Sequence, residues 1–219
     1  MQVLLEAGAD LNAKDARGRT PLHMLFKSSL SKSSYHGIPF DILLADPTVK
    51  IDERDNYGCT PLHAAATCRY NIPATLEFAK KVVRMPDEVD INSQDSQGRT
   101  PLWDCVAFNQ YDMTRLLLAQ DRLDPNLGPP NDFPLLLAVG LNHQQIVEHL
   151  LELKRLDFNK QTSTGQTALL KAIEVDNKEV IKMLARAGAN PDIGMSNGKT
   201  ARQHMLAAGI RVKWKTGST

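Results

Sequence analysis

The sequence is poor in cysteine, in aromatic residues and in long apolar runs. Three cysteines among 219 residues are too few, and odd in number, for a disulfide framework, which favours a reducing compartment. Only 6 Phe, 4 Tyr and 2 Trp are present, so aliphatic side chains must supply most of the packing. No run approaches the roughly 18 consecutive apolar residues of a membrane span, and no amino-terminal signal peptide is visible. The sequence therefore predicts an intracellular protein, cytoplasmic or nuclear, without a membrane span.

An excess of charge of one sign is also missing. Lys and Arg total 26 and Asp and Glu total 25, which gives a formal net charge of +1. The balance is uneven, because the last 27 residues carry five basic residues and no acidic one. That segment is interpreted as a solvated basic end, with a site for an acidic partner as the alternative. Elsewhere, acidic and basic residues alternate at the turns and form no continuous track for phosphates, so no nucleic-acid partner is expected.

Motifs of known catalytic or metal-binding chemistry are absent as well. The sequence has no glycine-rich phosphate loop, no Gly-x-Ser-x-Gly and no His-Glu-x-x-His. Cys59, His63 and Cys68 have a spacing that does not match a tetrahedral zinc site. Cys105 is predicted to pack within a helix rather than to act as a nucleophile. We therefore predict a protein that is not an enzyme and that uses no cofactor and no metal.

What the sequence does contain is a repeated motif. Three nine-residue segments, 15–23, 55–63 and 95–103, nearly coincide, and each contains Gly-x-Thr-Pro-Leu. Weaker copies follow near residues 131, 165 and 198. The anchor residues are spaced by 40, 40, 33, 34 and 33 residues, and they are Thr20, Thr60, Thr100, Phe133, Thr167 and Thr200. A period of this length indicates an array of short structural repeats.

Each copy of the motif has the chemistry of a turn followed by the start of a helix. Gly18, for example, can adopt the positive φ of a tight turn. The hydroxyl of Thr20 can cap the first free backbone N–H groups, and Pro21 fits the first helical position. A second apolar stretch with helical spacing follows about a dozen residues later, as at 76–83 and 113–118. Each unit is therefore predicted to run turn, helix, short loop, helix and return.

The motif and its period resemble those of the ankyrin-repeat family, and the resemblance covers essentially the whole chain. It implies an all-α fold, a solenoid of stacked helix-turn-helix units with β-turn or hairpin tips. It also implies that His23 and His63 tie the anchor threonine to the turn backbone through hydrogen bonds. The prediction is a single domain over 1–219, with a partial repeat at 1–14, repeats at 15–54, 55–94, 95–128, 129–161 and 162–194, and a C-terminal capping repeat with a basic tail at 195–219.

Two segments outside the regular pattern lead to further expectations. Residues 1–14 match only the second half of a repeat, so the chain is expected to be a fragment of a longer repeat protein. The serine-rich segment 27–39 is expected to be a mobile loop between helices. It is either a plain solvated insertion or a site of phosphorylation.

The turn at 126–133 departs most from the motif. It lacks the Gly-x-Thr signature, and two adjacent prolines remove two donors and force extended geometry. This tip should therefore differ in shape from its neighbours, either as a feature of specificity or through drift. Phe133 replaces the capping threonine, and Asn131 or Asp132 is the candidate replacement cap.

The family resemblance also implies where a partner binds, namely at the turn tips and on the concave face formed by the first helix of each unit. Arginine and aromatic side chains are typical of protein-binding hot spots. The candidate partner-binding residues are Arg54, Tyr57, Arg99, Trp103, Asp104, Phe108, Tyr111 and Lys171. Trp103 has a second interpretation, in which it fills the histidine position and packs between repeats.

The predicted function is a non-enzymatic scaffold for protein–protein interaction, a monomeric array that binds another protein. Two alternatives stay open. The array could be the recruiting arm of a larger enzyme or signalling protein, or the groove around Trp103 and Asp104 could hold a small molecule. A closed apolar cavity beside an Asp104 of raised pKa would support the small-molecule pocket. The identity of the partner does not follow from the fold.

Overall fold

The computed structural model describes residues 8–26, 40–68, 73–196 and 198–212. The start of the predicted partial repeat, the serine-rich segment 27–39 and the end of the basic tail lie outside these residues. Eleven helices are found in the described part: α1 Pro21–Met24, α2 Phe40–Ala45, α3 Pro61–Ala66, α4 Pro73–Val82, α5 Pro101–Ala107, α6 Tyr111–Leu118, α7 Pro134–Gly140, α8 Gln144–Leu151, α9 Ala168–Glu174, α10 Lys178–Ala187 and α11 Ala201–Ala207. Extended pairing within the described residues is limited to one isolated bridge between Gly194 and Thr200. The prediction of an all-α fold is confirmed.

Five helices begin directly after an anchor threonine whose backbone is extended. The hydroxyl of Thr100 accepts the N–H of Trp103 at 3.1 Å, and that of Thr167 accepts the N–H of Leu170 at 3.3 Å. Helices α1, α3, α5 and α7 start with proline, which has no N–H that would need a partner at that position. The anchors therefore fix where the first helix of each repeat starts, as the sequence predicts.

The histidines of the motif make the hydrogen bonds that the resemblance implies. Nδ1 of His23 accepts the N–H of Thr20 at 3.2 Å, and Nε2 lies 2.9 Å from the carbonyl oxygen of Cys59. In a neutral ring that accepts at Nδ1, the proton is on Nε2, which therefore donates to Cys59. One side chain thus holds its own helix start and also the turn of the next repeat.

Glycine allows the turn tips to stack closely. At the tips of the regular repeats, glycine φ values lie between +74° and +80°, a region that side chains with a Cβ rarely adopt. At Gly58, an added Cβ would also lie 3.1 Å from the backbone nitrogen of Ser96 on the adjacent tip. A substitution at Gly58 would therefore strain the turn and push the two tips apart.

The turn at 126–133 has a different shape, as predicted. Gly128 does not adopt a positive φ, and the N–H of Asp132 donates to the carbonyl of Pro129 at 3.1 Å. Phe133 provides no side-chain cap and is buried. Asn131 is used differently from the prediction, because its Oδ1 accepts the N–H of Ser163 at 2.8 Å and joins this turn to the next tip.

The chain divides into two compact units, residues up to Arg122 and residues from Leu123 onward. We call the first helix of each repeat inner and the second outer. In the first unit the inner helices α1, α3 and α5 pack in order, with α4 and α6 as outer helices that also pack on each other. In the second unit α7, α9 and α11 are inner, and α8 and α10 are outer. The single domain over 1–219 and its exact repeat boundaries stay a prediction.

Candidate functional site

The turn tips of the first unit stack side by side and leave their apical side chains at the surface. The carbonyl of Tyr57 accepts the N–H of Ser96 at 2.9 Å, and the carbonyl of Arg17 accepts the N–H of Asn56 at 2.9 Å. Because the bond at Tyr57 uses its backbone carbonyl, the side chain of Tyr57 is not needed for stacking. The side chain of Tyr57 is 58% exposed and is therefore accessible to a partner.

The predicted tip residues Arg54 and Arg99 are engaged within the array. Arg54 donates to the carbonyl of Gln94 at 2.7 Å and to the hydroxyl of Ser93 at 3.0 Å, both in the next return loop. Arg99 donates from Nε to the carboxylate of Asp95 at 2.7 Å. Burial alone would raise the pKa of Asp95, but the hydrogen bonds from Arg99 hold it below its usual range. Both guanidinium groups therefore stabilise the tips themselves.

The aromatic cluster predicted in the third repeat is divided between surface and interior. Phe108 is 41% exposed, whereas Trp103 and Tyr111 are half-buried. The guanidinium of Arg99 lies 5.7 Å from the centroid of the Trp103 ring, within the range of a cation–π contact. Asp104 is only 2% exposed, and burial raises the pKa of its carboxyl to about 7. Within this cluster, Phe108 is the side chain most open to a partner.

A groove runs along the inner helices of the second unit. It comprises a cavity of about 300 Å³ beside α7 and α9 and another of about 670 Å³ beside α9 and α11, and both are lined in part by Gln166. We call it the second-unit groove; it is lined mainly by Leu136, Leu137, Leu141, Gln166, Leu170, Lys171, Ile173, Glu174 and His204. Most of this lining is apolar, which is typical of sites that accept side chains of a partner.

Lys171, a predicted binding residue, crosses the second-unit groove. A Cβ on Gly140 would lie 3.2 Å from Cε of Lys171, so the lysine stem fills the space that a side chain there would take. The ammonium group lies 3.2 Å from Oε2 of Glu174, which also accepts a hydrogen bond from Gln166 at 2.8 Å. The charge of Lys171 is therefore balanced locally, and its stem adds apolar surface to the groove.

Exposed apolar side chains recur at one position of the repeat. Phe108, Leu141 and Val175 each end an inner helix, eight residues after the anchor, and they are 41%, 45% and 39% exposed. Val175 was not among the residues that the sequence predicts to face a partner. The offset from the anchor that it shares with Phe108 and Leu141 is the sequence signal that identifies it. Large apolar side chains that stay exposed at a recurring position of the repeat indicate an interaction surface.

Other kinds of site find no support in the described part of the chain. No helix there is long and apolar enough to cross a membrane. No group of three His, Cys, Asp or Glu side chains among the described residues is placed to hold a metal ion. Cys59, Cys68 and Cys105 are free thiols, the first half-buried and the other two buried. Burial raises the pKa of Cys59 to about 11, which keeps this thiol in its unreactive protonated form at neutral pH.

Comparison with known protein families gives a match to three copies of the ankyrin-repeat model, over residues 39–129, 74–162 and 135–209. The chain is 32% identical over 174 residues to the ANK repeat-containing protein nipk-1 of Caenorhabditis elegans, which covers 71% of this chain and 28% of that protein. It is 31% identical over 170 residues to Rabankyrin-5 of Homo sapiens, which covers 77% of this chain and 13% of that protein. The chain thus spans less than a third of the length of either relative.

Among solved structures, the ankyrin repeat domain of Bcl-3 is similar to this chain. The TM-score is 0.75, and the match covers 93% of this chain and 85% of that domain. The sequence identity is 22%, so this likeness shows the fold alone. The stacked helix-turn-helix units of the structure therefore have the same architecture as a known ankyrin-repeat solenoid.

Proposed function

The chain belongs to the ankyrin-repeat family, whose repeats are generally protein–protein interaction modules, and we propose that it binds a partner protein without catalysing a reaction. The proposal is carried by the second-unit groove and its exposed rim. Leu141 lines the groove, and Val175 directly follows Glu174, which also lines it. Both keep apolar surface in contact with water, whereas the other apolar side chains of α7 and α9 are buried or half-buried. A partner segment lying along α7, α9 and α11 would cover this surface and gain the free energy of its burial.

In the first unit, the proposed contacts are Tyr57 at a turn tip and Phe108 at the end of α5. Both are large and exposed, and they need no rearrangement before they meet a partner. The polar groups of three other candidates are used within the array and are not proposed as contacts. Arg54 and Arg99 are hydrogen-bonded within the array, and Asp104 is buried. This arrangement also favours a protein partner over a small molecule beside Asp104, since the carboxyl is not accessible from outside.

The chain is further proposed to work as a recruiting arm of a larger protein, as a monomeric array that does not bind nucleic acid. The lengths of the relatives support the first part, because each is more than three times as long as the matched segment. A cytoplasmic or nuclear location is proposed on the basis of the three free thiols, which suit a reducing compartment.

The test is to place one lysine at a time on the rim of the second-unit groove. Leu141→Lys and Val175→Lys should each lower the amount of partner protein recovered by crosslinking capture by about tenfold, because a charge would be buried at the contact. Their melting temperatures should stay near that of the parent protein, since both side chains are exposed.

Gln145→Lys is the matched control, because it adds the same charge to an exposed position of the outer helix α8. It should leave recovery of the partner unchanged. Equal recovery by the parent protein and both rim variants would exclude the second-unit groove as the binding surface.

A further inference from the structure

A row of asparagine side chains joins consecutive return loops within each unit. This asparagine ladder consists of Asn12, Asn92, Asn126 and Asn159. Asn12 donates from Nδ2 to the carbonyl of Thr48 at 2.8 Å and accepts the N–H of Lys50 through Oδ1 at 2.8 Å. One side chain thus satisfies both a carbonyl and an N–H of the loop that follows one repeat later, which is possible because an amide carries a donor and an acceptor.

The same pair of contacts recurs elsewhere in the ladder. Asn126 donates to the carbonyl of Arg155 at 2.9 Å and accepts the N–H of Asp157 at 2.7 Å. Asn92 donates to the carbonyl of Arg122 at 2.8 Å. The ladder position therefore calls for a side chain that can donate at one atom and accept at the other, in the first unit as well as in the second.

At position 52 an aspartate occupies the ladder position instead of asparagine. Asp52 lies 40 residues after Asn12, and its Oδ2 accepts the N–H of Asp90 at 3.2 Å, as Asn12 accepts that of Lys50. Its Oδ1 is buried and has no hydrogen-bond partner among the described residues. By the same offset, an asparagine here would donate to the carbonyl of Glu88, which accepts no hydrogen bond within the part of the chain that the structure describes.

The surroundings of Asp52 disfavour its ionised form. Burial raises the pKa of this carboxyl, and the nearby carboxylate of Asp90 raises it further. The hydrogen bond from the Asp90 N–H and the positive charges of Arg54 and Arg122 act in the opposite direction without cancelling the rise. Other charged side chains line the adjoining cavity of about 560 Å³, and these are Lys50, Glu53 and Glu88.

We propose that Asp52 makes the hydrogen-bonded joint between the loops at 50–54 and 88–92 sensitive to pH. The joint gains a hydrogen bond when the carboxyl binds a proton and loses it when the proton leaves. A protonated carboxyl has one O–H donor and a remaining acceptor, which is the pattern of an asparagine amide. It donates to the carbonyl of Glu88 and still accepts the N–H of Asp90. The ionised form leaves the buried Oδ1 of Asp52 without a donor, which is unfavourable. This inference does not depend on partner binding.

The sign of the effect follows from proton linkage. The ordinary pKa of an aspartate is near 3.8, and that of Asp52 is higher in the folded state. The stability associated with this carboxyl is therefore complete below the unfolded value and is lost as pH rises through the folded pKa. Asp95, whose pKa is lowered, changes stability in the opposite direction. The contribution of Asp52 must accordingly be measured as a difference between variants.

Asp52→Asn is the decisive variant, because it supplies the missing donor at every pH. At pH 7 we expect its melting temperature to exceed that of the parent protein by about 2 to 4 °C. Hydrogen exchange of the Asp90 amide should slow by about fivefold, since this N–H lies in the joint. Both differences should narrow as pH falls toward the ordinary aspartate value of 3.8, because the parent protein then takes up a proton at Asp52. Carbon-detected NMR should show the Asp52 carboxyl titrating above the ordinary range.

Asn92→Asp is the matched control, because it introduces the same defect one repeat later. It should lower the melting temperature at pH 7 by a similar amount and gain the same dependence on pH. Identical melting and exchange for Asp52→Asn and the parent protein would overturn the proposal; a water molecule that bridges Asp52 to Glu88 would produce that result. A difference that does not change between pH 7 and pH 4 would overturn it as well.

Discussion

In α3 of the first unit the third helical residue is His63, whereas in α9 of the second unit the same position holds Leu170. Both side chains are buried, three residues after an anchor threonine. His63 accepts the N–H of Thr60 at Nδ1, 3.1 Å away, and donates from Nε2 to the carbonyl of Arg99 at 3.1 Å. Leu170 has no polar atom in its side chain and contributes only apolar contacts. One place in the repeat is therefore stabilised in two physically different ways.

Stabilisation by His63 depends on pH, whereas stabilisation by Leu170 does not. A hydrogen-bonded histidine depends on its protonation state, and burial lowers the pKa of His63 below its ordinary value, with the bond to the Arg99 carbonyl opposing part of the change. A buried leucine has no such dependence. Histidine also fixes the neighbouring turn, because its bond ends on a tip carbonyl, whereas leucine leaves the tip to be held by other groups. The comparison predicts which variants lose stability and at which pH.

The largest loss of stability is expected at Leu170, which stabilises the protein through apolar contacts alone. Leu170→Ala should lower the free energy of unfolding by about 3 kcal/mol, since it removes a buried side chain and leaves a cavity. The loss should be the same at pH 7.5 and pH 5, measured by urea denaturation. Leu141→Ala makes the same chemical change at an exposed position, and its loss should stay within about 0.5 kcal/mol. A loss at Leu170 that varied with pH would break the distinction between the two positions.

His63→Ala should lower the free energy of unfolding by about 2 kcal/mol at pH 7.5, because it leaves the Thr60 N–H and one bond to the Arg99 carbonyl unmade. The pKa of His63 is lower in the folded protein, so the unfolded chain takes up a proton first as pH falls. The histidine's stabilisation is thus present above its unfolded pKa of 6.5 and is lost below it. Urea denaturation should therefore show a smaller penalty for the alanine variant at pH 5.

His63→Gln provides the control for this prediction. In α11 the equivalent residue is Gln203, whose Oε1 accepts the N–H of Thr200 at 3.1 Å. Glutamine at position 63 should keep the corresponding bond to Thr60 and recover part of the stability lost in the alanine variant. It cannot be protonated, so its stability relative to alanine should not change between pH 7.5 and pH 5. A pH-dependent difference between these two variants would show that His63 is not the titrating group.

The starts of the helices could be predicted from the sequence because their causes are local. Thr100 caps a backbone N–H three residues away, and Pro101 fits the first helical position whatever surrounds it. The same holds for Gly58, whose positive φ belongs to a turn of four residues. Features that depend on one or two neighbouring residues in the chain can be inferred from residue types and spacing alone.

The use of the arginines and of Asp104 could not be predicted in this way. Arg54 bonds to the carbonyl of Gln94, 40 residues ahead, and this contact depends on how closely two turn tips approach. Asp104 occupies a helix position that residue type alone would assign to the surface, yet the packed neighbours of α5 bury it. Contacts between repeats are set by packing geometry, which the motif does not encode, and these contacts decide which candidate residues remain available to a partner.

Leu170→His would introduce the hydrogen-bonded histidine of the first unit at the equivalent position of the second unit. It should change stability less than Leu170→Ala or His63→Ala. Thr167 provides an N–H for Nδ1, and the carbonyl of Lys199 accepts the N–H of Met195 at 2.9 Å, as that of Arg99 accepts the N–H of Asp95. The expected loss at pH 7.5 is about 1 kcal/mol, smaller than for alanine because the ring refills the space and can form both bonds. Urea denaturation should then show stability falling below about pH 6.5, since a buried imidazole must be neutral. A loss as large as that of Leu170→Ala, without any dependence on pH, would show that the histidine tie needs the turn geometry of the first unit.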